Sequence, residues 1–397
     1  MSFPAEFVVF GATLVGVALF HRQALPIAAG GLIAVIAFKW IGPGFAAAPG
    51  LAGLAAHFAH ESVILVNLFL LLVGFALLAA HFEESGLPKA LPRFLPGDWT
   101  GAFALLVIVF VVSGFLDNIA AALIGGAMAH TLFRGRVRVG YLAAIVAASN
   151  AGGSGSVIGD TTTTMMWISG VAPIEVLHAY VAAAVALLVF GLPAAHAQQR
   201  FAPIIKETEP SLVIDWARVA IVAVILVSAV AVNVGVNAKH PDFSNRFPFI
   251  GAAVALAIAL TAPWRRPDWS ILPGAVRGSV FLLCLVASAS LMPVESLPAP
   301  SWTSALALGF VSSFFDNIPL TALALKQGGY DWGVLAYAVG FGGSMLWFGS
   351  SAGVAICNMF PEARSTGRWL REGWPVAVAY VAGFAALIAT LGWKPAG

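Results

Sequence analysis

SGFLDNIAAALI, residues 113 to 124, places an aspartate and an asparagine in the middle of a long apolar stretch. SSFFDNIPLTAL, residues 312 to 323, places the same pair in a second apolar stretch. Each is followed by a glycine-rich segment, GGSGSVIGDTT at 152 to 162 and GGSMLWFGSSA at 342 to 352, and these two align without gaps. Two motifs recurring in the same order indicate that the chain carries an internal duplication.

The composition is that of a membrane protein. Of the 397 residues, 60% are hydrophobic and 10% are charged, whereas soluble domains carry about 25% charged residues. Apolar runs such as FVVFGATLVGVALF at 7 to 20 and VAIVAVILVSAVAV at 219 to 232 approach, with their flanks, the roughly 20 residues that a bilayer span needs. We therefore expect an all-α protein that crosses the membrane several times, with the lipid bilayer as a partner.

Several other classes of protein are disfavoured. The net charge is +2 and the basic residues are scattered over short loops, so nucleic-acid binding has no support. Cys284 and Cys357 lack CxxC spacing, which argues against a disulfide framework or a zinc site. The start, MSFPAEFVVF, lacks a basic n-region, so we expect the first apolar run to be retained as a span. Walker A and HExxH motifs are absent; we expect neither an enzyme, nor an ATP-driven pump, nor a cofactor.

The polar segment 197–215 is the predicted linker between two repeats, 1–196 and 216–397. In the first repeat, the apolar stretch 99–133 is too long for one span and is interrupted at Leu116, Asp117 and Asn118. A re-entrant helical hairpin fits this pattern, because non-helical backbone at membrane depth is tolerated where protein or a wet cavity satisfies it.

The other predicted elements follow the same plan in both repeats. The second hairpin is expected at 302–327, and discontinuous helices are expected at the midplane within 140–169 and 332–359. Each repeat then has five full spans and one hairpin. Since five is odd, the second repeat enters the membrane upside down, and the repeats are predicted to be inverted.

The distribution of basic residues predicts the orientation in a plasma (inner) membrane. An amino terminus on the outside puts fifteen of the 20 Lys and Arg residues on the cytoplasmic side. Five remain outside: Lys39, Lys239, Arg246, Lys326 and Lys394. This bias agrees with the positive-inside rule.

The two Asp-Asn pairs are candidates for a transport site. An acidic residue near the membrane centre costs about 2.5–3.5 kcal/mol on insertion scales. The presence of Asp117 and Asp316 in apolar stretches therefore requires an explanation. Each could simply cap the helix that follows it, although Asn or Ser would cap without a charge. Alternatively, carboxylate, amide and carbonyl oxygens at a hairpin tip suit a hard cation such as sodium, and a carboxylate can exchange that ion for a proton.

The glycine-rich segments are predicted to break the spans after each hairpin. Glycine frees the backbone for non-helical angles, and broken helices expose carbonyl groups and helix ends that bind ions or substrate. Close helix packing through small residues is the simpler interpretation. The first copy continues with Asp160 and Thr161, where the second has Ser350 and Ser351. Asp160 therefore joins Asp117 and Asp316 as a candidate sodium ligand, and the two sites should differ in charge.

Two pairs of motifs resemble those of the ion transporter superfamily. They are SGFLDNIAAA with GGSGSVIGDTTTT and SSFFDNIPLTA with GGSMLWFGSSAG. The similarity is greatest to NhaD-type sodium/proton antiporters and the related citrate and arsenite permeases, and it covers nearly the whole chain. Dicarboxylate carriers of this superfamily typically have neutral Ser-Asn-Thr hairpin tips, from which this sequence departs by its aspartates.

The resemblance implies a scaffold part and a transport part, with ion sites between each hairpin tip and the nearby helix break. It also suggests a homodimer. The first implied site comprises Asp117, Asn118, Gly153, Ser154, Asp160 and Thr161. The second comprises Asp316, Asn317, Gly343, Ser344, Ser350 and Ser351.

The sequence leaves three hypotheses, two for a transporter and one for a membrane scaffold or channel. The first is a secondary active sodium or lithium/proton antiporter in which Asp117 and Asp316 alternately bind the metal ion and a proton, so that sodium and protons are its coupling ions. The alternative is a sodium- or proton-coupled carrier of citrate-like or other small anions, which would face the helix starts after Asn118 and Asn317. A membrane scaffold or channel would require the aspartates to be structural.

Overall fold

The computed structural model describes residues 4–20, 23–45, 48–204, 213–239 and 246–395. These residues form helices joined by turns, and no strand occurs among them, which confirms the all-α prediction. In chain order the α-helices are α1 (Ala5–Leu19), α2 (Ala24–Ile41), α3 (Gly50–Glu84), α4 (Leu87–Ala90), α5 (Trp99–Ser113), α6 (Asn118–Leu132), α7 (Val139–Ser154), α8 (Thr161–Ile168), α9 (Pro173–Leu177), α10 (Ala179–Phe201), α11 (Trp216–Lys239), α12 (Phe249–Thr261), α13 (Leu272–Ser290), α14 (Trp302–Ser312), α15 (Asn317–Gln327), α16 (Trp332–Gly342), α17 (Ser351–Met359) and α18 (Thr366–Leu391).

Six helical stretches in the described part of the chain are long and apolar enough to cross a membrane. They are Ala24–Ile41, Gly50–Glu84, Pro173–Phe201, Trp216–Asn233, Trp269–Ser290 and Thr366–Leu391. The protein is therefore a multi-pass membrane protein. The helix α3, with 35 residues, is about 50 Å long at 1.5 Å per residue, which exceeds the hydrocarbon thickness of about 30 Å.

Both apolar stretches that carry an Asp-Asn pair consist of two short helices with a break between them. The first contains α5 and α6, of 15 residues each, and the second contains α14 and α15, of 11 residues each. Asp98 caps the start of α5 through the amide of Thr100, at 2.9 Å. The breaks fall where the sequence analysis placed them, and the re-entry of these helix pairs into a membrane stays a prediction.

Both glycine-rich segments also separate two helices. The helix α7 ends at Ser154 and α8 begins at Thr161, whereas α16 ends at Gly342 and α17 begins at Ser351. Both later helices have an extended N-cap residue whose side chain accepts an amide hydrogen bond, Asp160 for α8 and Ser350 for α17. The two breaks thus end in the same way, with a different side chain at the cap.

The predicted linker at 197–215 lies between α10 and α11. The helix α10 runs on to Phe201, and α11 begins at Trp216. The middle of the linker, 205–212, lies outside the described residues.

The chain divides into two compact units, each of which draws on both predicted repeats. The first unit comprises Met1–Leu78, Ala220–Ala299 and Ile318–Gly328, and the second comprises Ala79–Val219, Pro300–Asn317 and Gly329–Gly397. The scaffold and transport parts implied by the family resemblance remain an assignment to be tested.

Within the first unit, α2 packs against α1 and α13. A buried side chain, Asn67 of α3, accepts a hydrogen bond of 2.7 Å from the amide of Gly251 near the start of α12. That amide belongs to the first turn of α12, where amides have no partner within the helix. Asn67 therefore satisfies a helix end inside an apolar environment.

Within the second unit, α7 and α16 form the centre, because almost every residue of both helices is buried. Tyr337 and Phe341 of α16 stack on Tyr380 of α18, with ring planes within 11° of parallel. The packing is dense enough that a Cβ added at Gly152 would overlap the carbonyl oxygen of Phe110. These central helices hold the candidate site.

Candidate functional site

Asp160 is the acidic residue at the centre of the candidate site. It lies in the turn between α7 and α8, and its side chain is 2% exposed. Its Oδ1 accepts a hydrogen bond of 3.4 Å from the amide of Thr162, at the start of α8. The amide end of a helix carries partial positive charge, which favours a carboxylate at this position.

Two asparagines donate hydrogen bonds to Asp160. The Nδ2 of Asn118 lies 3.3 Å from Oδ1 of Asp160, and the Nδ2 of Asn317 lies 3.2 Å from Oδ2. Asn118 is the first residue of α6 and Asn317 the first residue of α15, and both are buried. Each carboxylate oxygen thus accepts from the asparagine of a different Asp-Asn pair.

Asn150 of α7 joins the two predicted sets of residues. Its Oδ1 accepts from Asn118 at 3.1 Å, and its Nδ2 donates to Oγ of Ser344 at 2.9 Å and Oγ of Ser350 at 3.2 Å. The sequence analysis predicted two separate sites and did not include Asn150. The structure instead connects both sets within the second unit through Asn150 and Asp160.

Asn150 had a weak signal in the sequence. It is a polar residue at the end of the apolar run YLAAIVAASN, two positions before the first glycine of the break. In the ungapped alignment of the two glycine-rich segments, the position equivalent to Asn150 is Gly340. Asn150 is therefore not part of the motif that the two repeats share, and the repeat alone does not identify it.

The two aspartates of the Asp-Asn pairs make different contacts from Asp160. The Oδ2 of Asp117 accepts from the amide of Ile119 at 3.1 Å, so Asp117 caps α6. The Oδ2 of Asp316 accepts from Oγ of Ser351 at 2.9 Å. Both aspartates are partly exposed. The capping interpretation thus describes Asp117, while Asp316 reaches the N-terminal residue of α17.

Two comparisons with known proteins address the family of this chain. No family model matches it. Over 295 residues the chain is 27% identical to "Sodium/proton antiporter 1" of Arabidopsis thaliana. The matched region covers 64% of this chain and 49% of that protein. Over 303 residues the chain is 26% identical to "Sodium/proton antiporter 2" of the same plant, which covers 66% and 69%.

The chain is similar to two plant sodium/proton antiporters. The similarity that its motifs indicated is confirmed by these two proteins. The matched part spans about half the length of the first of them.

Glycines in this protein allow the helices to approach Asp160. A Cβ at Gly340 would lie 3.3 Å from both Oδ2 of Asp160 and Cβ of Ser154. A Cβ at Gly153 would lie 2.7 Å from the carbonyl oxygen of Gly159, and one at Gly343 would lie 2.7 Å from that of Gly349. The glycines therefore permit both the turns at the breaks and the close packing of the helices.

The remaining predicted residues contribute mainly to the framework of the site. Ser154 donates within α7 to the carbonyl oxygen of Ala151 at 2.8 Å. Ser350 accepts from the amide of Gly353 at 3.2 Å, at the start of α17. Thr161, the first residue of α8, is buried.

The three aspartates do not form a cluster of carboxylates. In the described part of the chain, no three His, Cys, Asp or Glu side chains come together as a group that could hold a metal ion. An alkali-metal ion here would therefore need amide, hydroxyl or carbonyl oxygens in addition to carboxylate oxygens. Such mixed oxygen sets are suited to hard cations.

Proposed function

We propose that this protein is a sodium(lithium)/proton antiporter in which Asp160 alternately binds the metal ion and a proton. The observation that carries the proposal is the burial of Asp160 between the side chains of Asn118 and Asn317. A buried carboxylate is strongly disfavoured when its charge is unpaired. A proton or a sodium ion can each neutralise it, and competition between the two at one carboxylate produces exchange.

The asparagines suit both states of such a site. An asparagine side chain offers an NH2 donor and a carbonyl acceptor. As donors, Asn118 and Asn317 stabilise the ionised carboxylate of Asp160; with the amide rotated, their oxygens are ligands for a cation. Asn150, which already accepts through its oxygen, is a further candidate oxygen ligand.

Asp117 and Asp316 have an accessory role in this proposal. They are partly exposed, and each is the last residue of a helix break. We propose that they attract the cation and protons to the site through their charge. The sequence instead favoured Asp117 and Asp316 for the exchange reaction, with Asp160 as a third candidate sodium ligand.

The antiporter proposal is tested by cation-dependent proton flux in everted membrane vesicles. Sodium added to vesicles that hold a proton gradient should dissipate it. Asp160→Asn should abolish this response, whereas Asp98→Asn should preserve it, because Asp98 is an exposed helix cap outside the site. Full sodium-dependent flux in Asp160→Asn would reject Asp160 as the exchanging group.

A double variant separates charge from capping at the two Asp-Asn pairs. Asn can cap a helix as well as Asp, so Asp117→Asn together with Asp316→Asn retains the cap of α6 and removes both charges. We expect a reduced response to sodium at low sodium concentration. Unchanged flux at every sodium concentration would leave these aspartates with a structural role alone.

The same vesicles distinguish the anion-carrier alternative. Helices α6 and α15 begin next to Asp160, and helix starts favour anions. The buried carboxylate opposes an anionic substrate at the same place, unless coupling cations intervene. Labelled citrate uptake without sodium-dependent proton flux would favour the carrier over the antiporter.

We further propose that the fold consists of two inverted repeats, each with a re-entrant hairpin, in an inner membrane and as a homodimer. Matched local contacts support the duplication. Ser113 donates to the carbonyl oxygen of Ser149 at 2.5 Å, and Ser312 donates to that of Val339 at 2.7 Å. Both bonds join the end of the first hairpin helix to the following broken helix at equivalent positions.

Dimerisation is supported by the family resemblance alone and is tested by cross-linking in the membrane.

A further inference from the structure

The C-terminal end of α13, in the first unit, is bound by two lysines from different helices. Lys326 of α15 donates to the carbonyl oxygens of Ser290 and Met292, both at 2.6 Å. Lys39 of α2 donates to the carbonyl oxygen of Leu291 at 3.0 Å. Three consecutive carbonyl groups therefore each accept a hydrogen bond from an ammonium group.

These carbonyl groups need partners. The last four carbonyl groups of a helix have no amide partner within it, and Ser290, the last residue of α13, is 9% exposed. Leu291 and Met292 follow it and are 2% and 0% exposed. The carbonyl oxygen of Met292 also accepts from the amide of Val294, at 3.0 Å. A buried carbonyl group without a partner is costly. The C-terminal end of a helix is also electronegative, so a cation is a favourable donor at this position.

Two acidic residues near Lys326 could compete for its ammonium group. Glu295 and Glu61 lie close enough to interact with it electrostatically, as does Lys39. Its hydrogen bonds nevertheless go to the end of α13. His57 of α3 contacts the same end, with its Nε2 2.9 Å from Oγ of Ser290. That hydroxyl donates its hydrogen to the carbonyl oxygen of Ala287, so His57 is the donor to Ser290.

The helix that carries Lys326 begins at the candidate site. Asn317, the first residue of α15, donates to Asp160. An α-helix of 11 residues is about 15 Å long, and Pro319 lies in its first turn, where proline leaves a helix intact. A displacement of the Lys326 end can therefore change the position of Asn317.

We propose that Lys326 is a positioning residue for cation exchange, which holds the far end of α15 on α13 and so sets the position of Asn317 at Asp160. The inference rests on the proposed antiport function. Lys39 provides a comparison, because it caps the same helix end from α2, a helix that contributes no residue to the candidate site.

Lys326→Met and Lys39→Met test the proposal in the full-length protein. Each removes one ammonium group from the end of α13 and keeps a long side chain. In vesicles, Lys326→Met should raise the sodium concentration for half-maximal proton flux about three- to ten-fold, as expected when a charge-assisted contact is lost. Lys39→Met should leave that concentration unchanged. If Lys326→Met does not assemble, Lys326→Gln is measured in its place.

Hydrogen exchange of the detergent-solubilised variants gives a readout that does not require transport. Amide exchange in residues 318–328 should be faster in Lys326→Met than in Lys39→Met. Equal exchange rates in the two variants, or equal sodium dependence of their flux, would overturn the proposal. Absence of sodium-dependent flux in the unmodified protein would instead overturn the antiport function, and the exchange rates would still decide whether Lys326 holds α15.

Discussion

At the scale of single residues, the carboxylate of Asp160 and the amide of Asn150 organise the candidate site. Asp160 accepts from both asparagines of the Asp-Asn pairs, and Asn150 connects Asn118 with two serines. An amide can bridge in this way because it has an acceptor and two donor hydrogens. Removal of either residue therefore affects several partners at once.

Asn150→Ala should lower the stability of the protein and weaken its interaction with sodium. The change removes three hydrogen bonds, which corresponds to about 1–3 kcal/mol in a membrane protein. Ser149→Ala is the matched control, because its hydroxyl bonds only to Val146 O within the same helix among the contacts described. The melting temperature in detergent and the sodium dependence of proton flux are measured for both. Equal melting temperatures would contradict the bridging role of Asn150.

At the scale of elements, glycines set the distance between the helices that surround the breaks. A Cβ at Gly152 would overlap the backbone of α5, and a Cβ at Gly342 would overlap the backbone of α14 at Gly309. Both glycines lie at the ends of broken helices, α7 and α16. The helices of the site therefore pack backbone against backbone, with little room for a side chain.

Gly152→Ala should destabilise the protein, and Gly278→Ala should stabilise it slightly. The first change forces α7 away from Phe110, whereas a Cβ at Gly278 meets nothing within 4 Å. Alanine in an exposed helix interior is favoured over glycine by about 0.5–1 kcal/mol. Thermal unfolding in detergent checks both changes; a similar melting temperature for the two variants would contradict the packing argument.

At the scale of the whole molecule, the two units each combine segments from both halves of the chain. The residues proposed for cation exchange all belong to the second unit, and the lysines that bind the end of α13 belong to the first. The helix α15 contributes its first residue to the second unit and the remainder to the first. The transport cycle and the membrane orientation are properties at this scale, and each gives a prediction.

If protons and sodium compete for one carboxylate, the sodium concentration for half-maximal flux should rise as the pH falls. Under full competition the rise approaches about ten-fold per pH unit, because each proton bound excludes one ion. Initial rates of proton flux over a grid of pH and sodium concentration measure this dependence. A half-maximal concentration independent of pH would show that the two ions do not share a site.

Cysteine labelling tests the predicted orientation. In a background with Cys284 and Cys357 replaced by serine, Lys394→Cys should react with a membrane-impermeant maleimide in intact cells, and Arg93→Cys should react only after permeabilisation. The expectation follows from the bias of basic residues toward the cytoplasmic side. If only Arg93→Cys were labelled in intact cells, the orientation in the membrane would be the opposite of the predicted one.

The sequence by itself determined the membrane class, the all-α fold and the positions of the breaks. Apolar runs, an aspartate inside an apolar stretch and repeated glycines are local features, and their physical consequences follow without knowledge of the rest of the chain. The resemblance to sodium/proton antiporters also followed from local motifs. Asp117 as a helix cap was foreseen as one of two interpretations of the same pattern.

The tertiary structure decided which of these residues meet. Asn317 reaches Asp160 across 157 positions of sequence, and Asn150 reaches Ser350 across 200. Such contacts depend on how α7 and α16 cross, and helix periodicity alone does not specify that crossing. The two separate sites expected from the repeat are therefore connected around one buried carboxylate, because Asp160 and Asn150 have only Ser350 and Gly340 as counterparts in the second copy.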